Sequence, residues 1–158
     1  MPRLSHITPD LAVAGALTAD DFAELARLGY RAVINNRPDG EEPGQLTGRR
    51  EANLAQAAGL DYRHIPASKL ELFAEATVDA MRVALAELDG PVVAHCKSGL
   101  RSAILWAAAT ASDEGTDAVI AAAQSAGIDL EPVRDEIAEA AGGTAPARGD
   151  GLDNQAAA

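Results

Sequence analysis

The sequence has little of three things: cysteine, aromatic side chains and positive charge. One cysteine occurs among 158 residues, and aromatic residues make up 3% of them. A single cysteine excludes a disulfide within the chain and is typical of a reducing compartment. No run approaches the ~20 apolar residues of a membrane-spanning helix, and the N-terminus lacks the apolar stretch of a signal peptide. We therefore expect a cytoplasmic protein without a membrane partner.

The shortage of positive charge limits the partners. The sequence has 13 Lys and Arg against 24 Asp and Glu, a net charge of −11. Such a chain repels nucleic acid and anionic membranes, so local groups must hold any anionic substrate. His6 and His64 are not at zinc-site spacing from the other candidate ligands, so we expect no metal and no cofactor.

Apolar runs alternate with turn residues, which predicts an α/β domain over residues 1–141. Strands are expected at 11–15, 31–35, 61–66 and 91–95. Helices are expected at 18–28, 48–58, 71–88, 100–114 and 116–126, and a last one begins near Pro132. This order predicts three layers, a mostly parallel central sheet flanked by helices. Residues 142–158 lack periodicity and are predicted to be a disordered tail.

A polar loop, HCKSGLRS, follows the most apolar predicted strand and begins at His95. The Cys96 thiol is expected to face the loop amides and the positive end of the next helix, which favour a thiolate. A thiolate is a nucleophile, and Arg101 can hold an anionic group against it. Cys96 and Arg101 are therefore the predicted catalytic residues.

The rest of the loop is predicted to support these two residues. Substrate contacts are expected from Lys97, Ser98, Gly99, Leu100 and Ser102. Lys97 adds positive charge, whereas the Ser102 hydroxyl either donates to the thiolate or caps the helix. The side chain of His95 should alternate away from that of Cys96, so we expect a supporting hydrogen bond from it.

The loop resembles the active loops of cysteine phosphatases and rhodaneses. The wider chain resembles the bacterial beta-lactamase hydrolase-like protein, phosphatase-like domain family, over most of residues 5–141. The first strand and helix, the segment 34–40, the strand 62–66 and the cysteine loop follow that family's order. The resemblance implies a tyrosine-phosphatase-like fold and a nucleophilic cysteine.

Two features depart from the phosphatase pattern. Four residues separate Cys96 from Arg101, the rhodanese spacing, whereas the loop of cysteine phosphatases is one residue longer. A shorter loop is a smaller cradle, better suited to the outer sulfur of a persulfide than to a phosphate. The segment 67–71 also lacks the aspartate with which such phosphatases protonate the leaving group, although Asp39 or Glu71 could replace it.

These residues are compatible with three functions, which we give in order of preference. The first is a sulfurtransferase that carries sulfane sulfur from thiosulfate or a persulfide through a Cys96 persulfide. The second is a phosphatase that acts on phosphoesters through a phosphocysteine at Cys96. The third is a non-catalytic anion-binding or redox-sensing module. By analogy with fused relatives, we expect a persulfide-handling enzyme as a partner in trans.

Overall fold

A five-stranded mixed sheet forms the centre of the computed structural model, which describes residues 2–142. Its strands are β1 (Leu4–Thr8), β2 (Leu11–Ala14), β3 (Ala32–Asn35), β4 (Asp61–His64) and β5 (Val92–His95). Their order is β1-β2-β5-β3-β4; β1 is antiparallel to β2, and the other pairs are parallel. The prediction of a mostly parallel sheet with residues 91–95 at its centre is confirmed. The predicted tail, apart from Gly142, lies outside the described residues.

Six helices surround this sheet within residues 2–142. They are α1 (Ala19–Arg27), α2 (Gly48–Ala58), α3 (Glu75–Glu87), α4 (Leu100–Glu114), α5 (Thr116–Ser125) and α6 (Arg134–Gly142). The ends of α2 follow local sequence chemistry: the Thr47 hydroxyl accepts the N–H of Arg50, and Gly59 closes the helix at a φ of 80°. No helix in this part of the chain is long and apolar enough to cross a membrane.

Both faces of the sheet are covered, which confirms the three-layer architecture. Val33 and Val93 pack in one apolar cluster with Phe22 and Leu25 of α1. Their neighbours on the central strands, such as Ile34, belong to a second cluster on the opposite face, formed mainly with α3, α4, α5 and α6. Successive strand residues point to opposite faces, so a central strand buried on both sides must be apolar throughout.

Two elements differ from the prediction. Strand β1 was missed because it is an edge strand with a weak pattern, in which Ile7 alone is fully buried. Helix α3 begins at Glu75 rather than at residue 71, because a 3₁₀ helix at Lys69–Glu71 precedes it. The Glu71 carboxylate accepts the backbone N–H of Ser68 at 2.9 Å and closes that short turn on itself.

The strand register places the candidate site at one edge of the sheet. Ala14 and Asn35 are the register partners of His95 on either side, and His64 is the next partner beyond Asn35. Carboxyl ends of parallel strands meet at one edge, so the loops after β2, β3, β4 and β5 converge around Cys96.

Candidate active site

Backbone contacts with both neighbouring strands fix the cysteine loop. The N–H of Cys96 donates to the carbonyl of Ala14 at 3.2 Å, and the carbonyl of His95 accepts the N–H of Asn36 at 2.8 Å. The turn after β2 lies so close that a Cβ on Gly15 would sit 3.0 Å from the carbonyl oxygen of Lys97. The loop is therefore held between two strand ends.

The Cys96 sulfur lies inside this loop, beside the start of α4. The residue is fully buried, and its Sγ accepts the backbone N–H of Gly99 at 3.1 Å. Gly99 has a φ of 97°, a left-handed conformation that favours glycine, and Leu100 begins the helix directly after it. The sequence thus directs an amide donor and the positive end of a helix toward the thiol.

The guanidinium of Arg101 lies beside Cys96 and is held by protein oxygens. Its Nη1 and Nη2 donate to the two carboxylate oxygens of Glu41 at 2.8 and 2.9 Å. Nη1 also donates to the carbonyl of Ala67 at 2.9 Å. The hydrogen bonds to Glu41, with a smaller contribution from the Cys96 sulfur, raise the pKa of Arg101 despite its burial. The side chain is therefore a permanent cation.

Glu41 and its neighbour Glu42, which we call the acidic pair, bind three cations around the loop mouth, Arg37, Lys97 and Arg101. Arg37 Nε contacts Glu41 at 2.9 Å, and Arg37 Nη2 contacts Glu42 at 2.6 Å. Lys97 Nζ contacts Glu42 at 2.8 Å. The hydrogen bond from Arg101 lowers the pKa of Glu41, and that from Lys97 lowers the pKa of Glu42. Sequence reasoning missed this pair because nothing local distinguishes it among 24 acidic residues.

The Ser102 hydroxyl does not donate to the thiol in this structure, which corrects that part of the prediction. Its Oγ donates to Asn36 Oδ1 at 2.8 Å, and Asn36 Nδ2 donates to the carbonyl of Ile65 at 3.0 Å. Ser102 and Asn36 are both fully buried, so each polar atom needs a partner, and they satisfy one another. Ser102 thus ties α4 to the loop after β3.

His95 makes the expected supporting contact, with partners that the sequence did not predict. Its Nε2 lies 2.8 Å from the buried carboxylate of Glu51 on α2, and its Nδ1 lies 3.4 Å from the carbonyl of Cys96. The Tyr62 hydroxyl donates to the same Glu51 oxygen at 3.3 Å and accepts from Asn35 Nδ2 at 3.0 Å. Burial raises the pKa of Tyr62 well above its usual value.

The two carboxyl groups considered as proton donors are engaged elsewhere. Asp39 Oδ1 accepts the N–H of Gly48, the first residue of α2, at 2.8 Å. Glu71 accepts the N–H of Ser68, which lowers the pKa of Glu71. Both carboxylates therefore stabilise local backbone structure.

The remaining predicted contact residues border a groove beside the cysteine loop. Lys97, Ser98, Gly99 and Leu100 line an open groove of about 570 Å³ together with Asp129. Their roles in substrate binding stay predictions. No group of His, Cys, Asp and Glu side chains within residues 2–142 could hold a metal ion.

The chain is similar to known proteins whose descriptions agree with a phosphatase-like site. Residues 3–113 match the model of the beta-lactamase hydrolase-like protein, phosphatase-like domain. A beta-lactamase hydrolase-like protein of Agrobacterium fabrum is 43% identical over 108 residues, which are 68% of this chain and 25% of that protein. Its counterpart in Xylella fastidiosa is 42% identical over 105 residues, 66% of this chain and 24% of that protein. The chain spans about a quarter of the length of these curated relatives.

A solved structure shares the architecture. A candidate phosphatase from Neisseria meningitidis superimposes with a TM-score of 0.74 and 29% sequence identity. The match covers 85% of this chain and 96% of that one. The predicted cysteine-phosphatase-like α/β fold is confirmed.

Proposed function

We propose that this chain, which belongs to the beta-lactamase hydrolase-like protein, phosphatase-like domain family, is a cysteine-dependent sulfurtransferase. The observation that carries the proposal is the short loop, in which four residues separate Cys96 from Arg101. Within it, the N–H of Gly99 donates to Sγ, and the cysteine is fully buried. A cradle of this size suits one additional sulfur atom on Cys96 better than a tetrahedral phosphate with three free oxygens.

The reaction proceeds in two sulfur-transfer steps. The Cys96 thiolate attacks the outer sulfur of thiosulfate or of an organic persulfide, and a new S–S bond forms as the donor S–S bond breaks. The electron pair of the broken bond leaves with sulfite or a thiolate. A second thiolate, or cyanide, then attacks the outer sulfur of the Cys96 persulfide and releases the Cys96 thiolate. Arg101 holds the anionic part of the donor during the first step.

The carboxylates near the site support this chemistry over ester hydrolysis. Sulfite and thiolates are stable anions that leave without a proton, whereas an alkoxide needs an acid worth about 10²–10⁴-fold in rate. The lowered pKa values of Glu41, Glu42 and Glu71 keep all three ionised at neutral pH. Asp39 caps helix α2. None of the four is therefore poised to protonate a leaving group.

Phosphatase activity is the second candidate, because the family is described as phosphatase-like and a similar structure is named as a candidate phosphatase. In this reaction Cys96 attacks phosphorus, the ester P–O bond breaks and its electron pair leaves with the alcohol oxygen. Water then cleaves the phosphocysteine. The third candidate is an anion-binding or redox-sensing module that has no catalytic turnover. A persulfide-handling enzyme that acts as a partner in trans also stays a proposal.

The test compares wild type with Cys96→Ser on three substrates. We expect wild type to convert thiosulfate or an alkyl persulfide plus cyanide into thiocyanate, and Cys96→Ser to form none. Activity on p-nitrophenyl phosphate should be weak or absent. The phosphatase would be favoured if wild type releases phosphate, if Cys96→Ser and vanadate each abolish that release, and if no thiocyanate forms from the sulfur donors. Inactivity on all substrates would favour the non-catalytic module.

A further inference from the structure

We infer that Glu41 sets the charge selectivity of the site, so that singly charged sulfur donors are preferred to doubly charged anions. The preferred class comprises alkyl persulfides and thiosulfonates; thiosulfate and phosphomonoesters belong to the disfavoured class. The inference rests on the proposed function, because it assumes that the donor binds between Cys96 and Arg101. It follows from two properties of the acidic pair, the donors that it occupies and the charge that it neutralises.

Glu41 leaves one edge of the Arg101 guanidinium for a substrate. A guanidinium carries five N–H donors in a planar fork. Both Nη1 donors are used, one by Glu41 and one by the carbonyl of Ala67, and one Nη2 donor is used by Glu41. The remaining donors are Nε–H and the second Nη2–H, which form a single fork, and the guanidinium also interacts with the Cys96 sulfur. This fork can bind two oxygens or an oxygen and a sulfur of one anionic group.

The acidic pair also removes most of the positive charge that an anion would meet. Arg37, Lys97 and Arg101 are three cations, and the two glutamates bind all of them at 2.6 to 2.9 Å. The five side chains together carry a net charge of +1, which a Cys96 thiolate would cancel. A doubly charged substrate therefore gains little attraction here, and the chain as a whole is strongly acidic.

Removal of the Glu41 charge should favour dianions more than monoanions. The carboxylate repels each substrate charge, so the logarithm of the effect scales with that charge. At an effective dielectric constant of about 40, between the values of a protein surface and of water, and at a separation of about 6 Å, one charge changes the affinity of a monoanion by about tenfold. The corresponding change for a dianion is about 100-fold.

The experiment measures anion binding without turnover. Cys96 is alkylated with iodoacetamide, an uncharged reagent, while methanesulfonate or sulfate protects it. These anions resemble each other but carry one and two charges. The test variant is Glu41→Gln. The control is Glu87→Gln, which removes the same charge from an exposed pair with Arg63 at 3.1 Å; Arg63 is on the edge strand β4, which β3 separates from β5.

For Glu41→Gln we expect the half-protecting concentration to fall about tenfold for methanesulfonate and about 100-fold for sulfate. Glu87→Gln should change neither beyond about twofold. Three results would overturn the inference. They are a Glu41→Gln result equal to that of the control, weaker protection of Glu41→Gln by both anions, and no protection of any variant. Weaker protection would show that Glu41 mainly holds Arg101 in place. Thermal unfolding of each variant verifies that it is folded.

A turnover measurement separates this inference from the proposed function. The ratio of kcat/KM for thiosulfate to that for methanethiosulfonate should rise about tenfold in Glu41→Gln, because both donate sulfane sulfur but differ by one charge. If Glu41→Gln shows the expected tenfold and 100-fold effects on protection but the protein transfers no sulfur, the charge selectivity stands and the sulfurtransferase proposal is contradicted. Sulfur transfer with an unchanged ratio would contradict the charge selectivity alone.

Discussion

At the residue scale, Gly99 contributes both a backbone shape and a hydrogen-bond donor to the thiol of Cys96. Its φ is 97° and its N–H lies 3.1 Å from Sγ. Gly99→Ala should destabilise the fold by about 1–2 kcal/mol through left-handed strain and displace the amide from the sulfur. We expect alkylation of Cys96 by iodoacetamide to slow by about tenfold, roughly the effect of one hydrogen bond to a charged group.

Gly59→Ala is a matched control for this variant. Gly59 has the same left-handed conformation, with a φ of 80°, after the last residue of α2, and a Cβ there would meet nothing within 4 Å. It should lose similar stability in urea denaturation while Cys96 keeps its alkylation rate. Equal alkylation rates in the two variants would show that the Gly99 amide does not support the thiolate.

Tyr62 makes the free energy of unfolding depend on pH in the alkaline range. Burial, and then the nearby Glu51 carboxylate, raise the pKa of Tyr62 above its ordinary value of 10.0. In the unfolded chain the phenol releases its proton at that ordinary value, whereas in the folded protein it retains the proton at a higher pH. The contribution of the protonated Tyr62 phenol to the free energy of unfolding is therefore complete below about pH 10 and is lost as the pH rises above it.

The pH dependence can be measured by urea unfolding between about pH 8 and pH 11. Wild type should lose stability steadily above about pH 10, and Tyr62→Phe should lose less over the same range. Tyr30, whose pKa burial also raises, contributes equally to both proteins. Parallel curves would contradict the assignment to Tyr62.

Sequence proximity decided which site residues could be predicted. Cys96, Gly99 and Arg101 are on one loop, so the pattern that brings them together is visible in the sequence. Glu41 and Glu51 reach the site from the segments after β3, and their contacts exist only once the parallel register is known. A glutamate in an exposed loop has no local signature that separates an ion-pair partner from a solvated charge.

At the element scale, one buried carboxylate connects helix α2 with strand β5. Glu51 accepts from both His95 and Tyr62 and is 3% exposed. Glu51→Ala would leave the buried His95 and the half-buried Tyr62 without their acceptor and should cost about 2–4 kcal/mol. Glu51→Gln keeps an acceptor oxygen and should cost less. Urea denaturation measures both, and an equal loss would show that the hydrogen bonds matter little.

Local signals also explain which elements were predicted. Helix α2 begins after Thr47 and ends at Gly59, so its sequence boundaries are its structural boundaries. Strand β1 gave no such signal, because an edge strand with one fully buried residue depends on its pairing with β2 rather than on its own pattern. The start of α3 was placed too early because the apolar stripe does not reveal the 3₁₀ turn at residues 69–71.

At the scale of the whole molecule, the net charge of −11 opposes the approach of any anionic donor. Salt screens that field, since the Debye length falls from about 30 Å at 0.01 M to about 8 Å at 0.15 M ionic strength. The rate of Cys96 alkylation by iodoacetate, an anion, should therefore rise several-fold over this range. The rate with uncharged iodoacetamide should stay constant. A fall in the iodoacetate rate would show that attraction by Arg101 and Lys97 dominates instead.

Intact-protein mass spectrometry after exposure to a sulfane-sulfur donor shows whether Cys96 carries sulfur as a persulfide. Wild type is incubated with thiosulfate or an alkyl persulfide, freed of small molecules and weighed, with Cys96→Ser alongside. We predict that wild type gains the mass of one sulfur atom, that cyanide removes it, and that Cys96→Ser gains nothing. Unmodified wild type, or a phosphate adduct on Cys96 after exposure to a phosphoester, would contradict this prediction.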